Sequence, residues 1–131
     1  MADKREISDH YTELAREVIE EHEELFDLML GDVTIVYLSS THKKRSKGKI
    51  VLGQCEKVAD KNKWAIPCDF TITLFDRNME GASDECVKKV LFHELLHVGV
   101  DEDGFKYVRP HDLEDFKAVV DKYGVNWAQM F

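Results

Sequence analysis

Apolar residues recur along this chain with two different periods, and the change from one to the other predicts its elements. From Ser8 to Leu30 the apolar positions Tyr11, Leu14, Ala15, Val18, Leu25, Phe26 and Met29 return every three or four residues, with Glu and Arg between them. That spacing gathers them on one face of a helix, which Gly31 should close. Gly31-Asp32 is a turn signal, and Val33 to Leu38 is a β-branched and aromatic run of strand length. Ile50 to Val58 is a weaker strand, interrupted by Gly53 and mixed in polarity, as suits a sheet edge or a bulge. Trp64 and Ile66 are expected to return to the core, and Pro67 precedes a third strand, Cys68 to Phe75. There Phe70, Ile72 and Leu74 alternate with Thr71 and Thr73, the two-residue period of a sheet with one face on a core, which marks an inner strand.

The stretch Asp84 to Val98 has a different character. Val87, Leu91, Leu95 and Val98 form a helical stripe that Phe92 and Leu96 widen, and a helix that is apolar nearly all round is buried. Ser83 can cap its start, Asp84 and Glu85 place negative charge in the first turn, and Gly99 should stop it. After an acidic loop from Val100 to Gly104, Pro110 pre-sets a helix start, and Leu113, Phe116, Val119, Val120 and Tyr123 give a C-terminal helix closed by Gly124. Short connections favour antiparallel neighbours. The expected fold is α+β: a three-stranded mixed or antiparallel sheet with an N-terminal helix, a buried helix packed on it and a C-terminal helix. One domain over residues 1–131 is long enough to bury its core without staples.

The buried helix also carries the most specific chemistry, His93-Glu94-Leu95-Leu96-His97, the pattern H-E-x-x-H. Residues four apart lie one turn apart on the same face, so His93 and His97 can hold one metal ion with Glu94 beside them as general base, the zincin arrangement. Three such side chains in an apolar helix are costly unless something satisfies them, and a divalent metal does. A catalytic zinc has three protein ligands and an open position for water, so a third ligand is to be found downstream. His111, fixed by Pro110 at a helix start, is the first candidate. Asp103, six residues after His97, fits the third-ligand position of H-E-x-x-H-x-x-G-x-x-H/D zincins, but Val100 stands where that pattern has glycine. Asp101 and Glu102 are weaker candidates. Asp112 and Asp115 could orient His111, and Tyr107, Arg109 and Tyr123 are of a type that could stabilise an oxyanion. His22, a lone histidine on an apolar stripe, reads as structural.

Charge and cysteine usage narrow the partners. With 26 acidic against 18 basic residues the net charge is −8, which argues against non-specific nucleic-acid binding. The three cysteines, Cys55, Cys68 and Cys86, lack C-x-x-C spacing and indicate neither a disulfide framework nor a thiolate zinc site, so a reducing cytoplasm is the expected setting. No signal peptide, anchor or membrane-spanning run is read in the sequence. The basic run from Lys43 to Lys49 is expected to be a solvated hairpin loop. A peptide lying along an edge strand Ile50–Val58 would have this loop at one end of its groove, favouring acidic residues in the target.

His93-Glu94-Leu95-Leu96-His97, the Asp101-Glu102-Asp103-Gly104 loop, Pro110-His111-Asp112, the Leu113-Glu114-Asp115-Phe116 helix and the Lys/Arg-rich hairpin upstream together resemble the phage metallopeptidases, small zincin-like proteins of phages and prophages. The resemblance covers most of the chain. It implies a zincin-like fold and a Zn2+-dependent peptidase with ligands His93, His97 and His111 and catalytic base Glu94. The implied substrates are proteins or peptides; the expected setting is the cytoplasm of a bacterial host, with a monomer that engages neither nucleic acid nor membrane. Two other readings compete with it. One is a non-enzymatic zinc protein that acts by occupying a host or phage partner; the other is a metal-dependent nuclease, favoured only by the basic loop.

Overall fold

The computed structural model describes residues 4–30 and 33–110. The chain opens with β1 (Arg5–Ile7), then forms α1 (Asp9–Glu21), a 3-10 turn at Glu23–Leu25 and α2 (Phe26–Leu30). Next come β2 (Ile35–Ser40), a two-residue ribbon of β3 (Arg45–Ser46) and β4 (Lys49–Ile50), and β5 (Gly53–Lys57). β6 (Phe70–Phe75), α3 (Asp84–Leu96), β7 (Val98–Val100) and β8 (Lys106–Val108) complete the described residues. The expected C-terminal helix from Leu113 to Tyr123 lies outside them.

Among the described residues the sheet has four strands in the order β1-β2-β6-β5, one more than the three expected. The additional strand is β1, which pairs antiparallel with β2 from Arg5 opposite Ser40 to Ile7 opposite Leu38. β2 and β6 are parallel, and β5 is antiparallel to β6, so the sheet is mixed. The two strands that flank the basic hairpin do not pair with each other, as a plain hairpin would; β6 inserts between them. β6 is therefore an inner strand and β5 an edge, as their sequence patterns indicated. β5 is shorter than its predicted span because Lys49–Ile50 belongs to the separate ribbon.

One face of the sheet carries the core. Tyr37, Ile72 and Leu74 of the sheet meet Leu14, Ala15 and Val18 of α1 and Val87, Val90, Leu91, Phe92, Leu95 and Leu96 of α3. Lys88 of α3 lies 3.3 Å from Glu17 and 3.2 Å from Glu21, tying the two helices at the rim of this layer. The expected N-terminal helix is interrupted at His22, whose extended backbone (φ −123°, ψ 118°) ends α1 and whose ring stacks on Phe92 at 4.3 Å. Its structural reading agrees with that contact. Trp64 and Ile66 do not return to the core: they are 87% and 45% exposed, because the 3-10 turn at Asp60–Asn62 carries this loop over the surface. None of the helices among the described residues is long and apolar enough to cross a membrane.

β2 and β6 begin at a shared polar node. Asp69 accepts from the Thr34 N–H at 3.0 Å and the Thr34 hydroxyl at 3.1 Å, and pairs with Lys63 at 3.0 Å and Lys106 at 3.5 Å. Burial opposes its ionisation, but the Thr34 N–H, the Lys63 ammonium and the Thr34 hydroxyl outweigh burial and hold the carboxyl at about 2. A carboxyl with a depressed folded-state pKa stabilises the fold above its unfolded pKa and loses that contribution as the pH falls through the folded value. Asp69→Asn is thus expected to lower stability by about 1–2 kcal/mol at neutral pH. In urea titrations the gap to wild type should narrow as the pH drops from about 4 toward 2.

Candidate metal centre

α3 begins as its sequence specifies. Ser83 is the N-cap, its hydroxyl accepting from the Cys86 N–H at 3.3 Å, and Asp84 and Glu85 occupy the first turn. The helix then runs through His93 and Glu94 to Leu96, with His97 as C-cap still in the right-handed helical region (φ −72°, ψ −19°). Continuous helical geometry from 93 to 97 keeps both imidazoles on one face. Their rings lie 5.2 Å apart at 70°. One ligand atom each from His93, Glu94 and His97 falls within 4.8 Å of the others, a group that could hold a metal ion. The two histidines are half-buried and Glu94 is 5% exposed. Glu94 Oε1 stands 3.9 Å from His97 Nε2, beyond hydrogen-bonding reach.

The tautomer of His97 is fixed by the chain that follows. Its Nδ1 lies 2.7 Å from the carbonyl oxygen of Arg109, and since a carbonyl can only accept, Nδ1 carries the hydrogen. In that tautomer Nε2 carries the ring's lone pair, the form in which an imidazole binds a metal. The Arg109 N–H donates in turn to the His97 carbonyl, so the two residues are joined by a reciprocal pair of bonds. The β7–β8 hairpin brings them together, with Val98 opposite Val108 and Gly99 opposite Tyr107. Gly99 does not act as the helix stop expected of it. It lies within β7, and a Cβ there would come within 2.6 Å of the Tyr107 ring, which packs against the glycine. Arg109, a candidate for oxyanion stabilisation by its charge, enters the site through its backbone instead; its side chain lines a separate pocket with Glu24, Asp27 and Leu95.

On its other side the centre meets the edge strand. A Cβ on Gly53 would lie 3.3 Å from Glu94 Cγ and 2.8 Å from Leu74 Cδ2, so the missing side chain is the room in which Glu94 packs. Cys55, two residues on, shares that face. Burial, with Glu94 and Glu56 adding to it, pushes its thiol up to about 12, and it is not among the three grouped donors. Asp101, Glu102 and Asp103 sit exposed at the tip of the β7–β8 hairpin, outside the group. The Asp101 carboxylate is engaged there by the N–H groups of Asp103 and Phe105, at 2.9 and 2.8 Å. His111, Asp112, Asp115 and Tyr123 lie outside the described residues. Sequence reasoning missed the Arg109 carbonyl, which no side-chain pattern announces; the short apolar runs around Gly99 and Tyr107 were the available hint of the hairpin that delivers it.

The family model described as "Putative phage metallopeptidase" matches residues 3–131, and the chain belongs to that family. No curated protein and no solved structure matches it.

Proposed function

We propose that this member of the phage metallopeptidase family is a zinc-dependent peptidase, with His93, His97 and His111 as metal ligands and Glu94 as general base. The observation that carries the reading is the donor group on α3: two imidazoles and a carboxylate converging in a half-buried position, one imidazole with its tautomer already set for coordination. Two neutral nitrogen donors and no available thiolate suit zinc in an open catalytic site better than a closed structural one. Zinc, when bound, supplies Lewis acidity that brings the pKa of water toward neutrality and polarises a carbonyl.

The chain's own residues account for the rest. Glu94, held between the helix and Gly53, takes a proton from the attacking water and returns it to the departing amine. His97, locked to Arg109, keeps a constant orientation while charge develops beside it. Its partner carbonyl sits twelve residues along the chain, and the hairpin between them depends on Gly99. Gly99→Ala should displace Tyr107 and loosen this link. The expected result is a roughly 10-fold loss of zinc affinity, with Glu94 chemistry preserved at saturating zinc; competition titration against a chromogenic chelator reads it. The proposed setting is a monomeric, single-domain, zincin-like protein acting on protein or peptide chains in the bacterial cytoplasm.

The reading is tested by metal analysis of the purified protein together with a peptide cleavage screen, comparing wild type and Glu94→Gln. Zinc bound by both and cleavage by wild type alone supports it. Cleavage by neither, with zinc fully bound, supports the alternative, a zinc protein that acts by occupying a partner.

A further inference from the structure

The site lies against the β5 sheet edge, which has β8 close by but whose outward backbone groups make no bond among the described residues. Leu52 and Val58 direct their backbone bonds to Phe75 and Asp69 of the neighbouring strand, and in an antiparallel pair the intervening even positions do likewise. The N–H and C=O groups of Gly53, Cys55 and Lys57 therefore point away from the sheet, and among the described residues nothing is bonded to them. An extended peptide can pair with such an edge. Gly53, at its start, is the residue packed against Glu94.

Directly before Gly53 stands the β3–β4 hairpin, and its charge is anomalous for this molecule. From Val33 to Cys55 the chain carries Lys43, Lys44, Arg45, Lys47 and Lys49 and no acidic residue, within a protein of net charge −8. Lys44 is used structurally: its ammonium bonds to Gln54 and lies 5.7 Å above the Phe75 ring. Lys43, Arg45, Lys47 and Lys49 are exposed, and none has an ion-pair partner among the described residues. The arm that bears them is held in place. The Asn78 side-chain amide donates to the carbonyls of Lys44 at 2.9 Å and Val51 at 2.8 Å, and the Val51 N–H donates to Lys44, which pins both feet of the hairpin. Lys47 (φ 53°) and Gly48 (φ 78°) make the tight turn at its tip. At about 3.3 Å per residue of strand, Lys49 and Lys47 lie roughly 13 and 20 Å of chain before Gly53, and Arg45 is folded back opposite Ile50.

Resting on the peptidase reading, we infer that the preferred substrate is an extended peptide segment with acidic residues on one side of the scissile bond, paired along the β5 edge and drawn to Arg45, Lys47 and Lys49 on the clamped hairpin. A carboxylate partner is favoured over nucleic acid because the protein as a whole carries a net charge of −8, so a polyphosphate would be repelled beyond the hairpin while a short peptide need meet only the arm.

The test uses zinc-loaded full-length protein and a random decapeptide library, with products sequenced by mass spectrometry. Asp and Glu should be enriched on one side of the cleaved bond. In the triple variant Arg45→Gln, Lys47→Gln, Lys49→Gln that enrichment should fall toward unity. KM for an acidic peptide taken from the library should rise roughly 10-fold, with kcat within about twofold and a weaker dependence on salt. Cleavage without acidic enrichment, or enrichment unchanged in the triple variant, overturns the inference while leaving the peptidase reading intact. So does a triple variant that loses only the binding of a short single-stranded DNA. Should wild type cleave nothing, the peptidase reading fails separately, and retention of library peptides on immobilised zinc-loaded protein decides the inference. Acidic peptides held by wild type and released by the triple variant support it; retention without acidic preference, or no retention, overturns it.

Discussion

Glu94→Gln is expected to leave zinc binding intact and to lower kcat by about 10²- to 10⁴-fold, the usual contribution of a positioned general base. Glutamine has the same shape and still fits the space beside Gly53, where Glu94 Cγ would stand 3.3 Å from an added Cβ. It cannot accept the proton. Because the substitution keeps the shape of a side chain that is 5% exposed, the loss should appear in turnover and not in folding. Equal thermal stability of the zinc-loaded forms, measured beside the rates, separates the two. Loss of zinc in this variant would make Glu94 a ligand and sink its assignment as base.

His97→Ala should have the larger effect on the metal. The substitution removes a ligand and also releases the Arg109 carbonyl and N–H from their paired bonds. Since partners beyond the ligands alone change affinity by 10- to 100-fold, deleting the ligand itself is expected to cost at least about 100-fold. Wild type in zinc at about 100 times its Kd should gain roughly 2.7 kcal/mol of stability, and His97→Ala should gain almost none under the same conditions. Thermal shift with and without zinc gives both values. His111→Ala should behave alike. Full zinc occupancy in His111→Ala together with its loss in Asp103→Ala would transfer the third ligand to the hairpin tip.

What the sequence made legible follows from how local each feature is. α3 could be read almost to the residue, because its cap, first-turn charges and apolar faces lie within fifteen positions, and the histidine spacing needs nothing but helical geometry. β6 was equally plain from its alternation, though the structure covers both its faces: Thr73 and Phe75 are buried as fully as Ile72 and Leu74, as befits an inner strand. β1 was not. Arg-Glu-Ile has no alternation, and the strand exists because β2 offers an open edge some thirty residues away. The break at His22 is likewise tertiary: no Gly or Pro stands there, and the ring has its partner in Phe92, seventy residues on.

The candidate site divides the same way. The residues that could bind metal were visible by type and spacing. The Arg109 carbonyl that orients His97 was invisible, since every residue has one and only the β7–β8 register brings this one into place. Gly53 and Gly99 were noticed as glycines and explained differently by their surroundings. Gly53 was expected to mark a sheet edge or a bulge and, on the edge strand, makes room for Glu94; Gly99 was expected to end a helix and makes room for Tyr107.

Chelation and reconstitution of the purified protein tests the central claim most directly. The expected result is one zinc per chain, complete loss of peptide hydrolysis when it is removed, and recovery in proportion to the zinc restored. Hydrolysis that survives removal of the metal, or an absence of hydrolysis in fully zinc-loaded wild type across a broad peptide mixture, would contradict it.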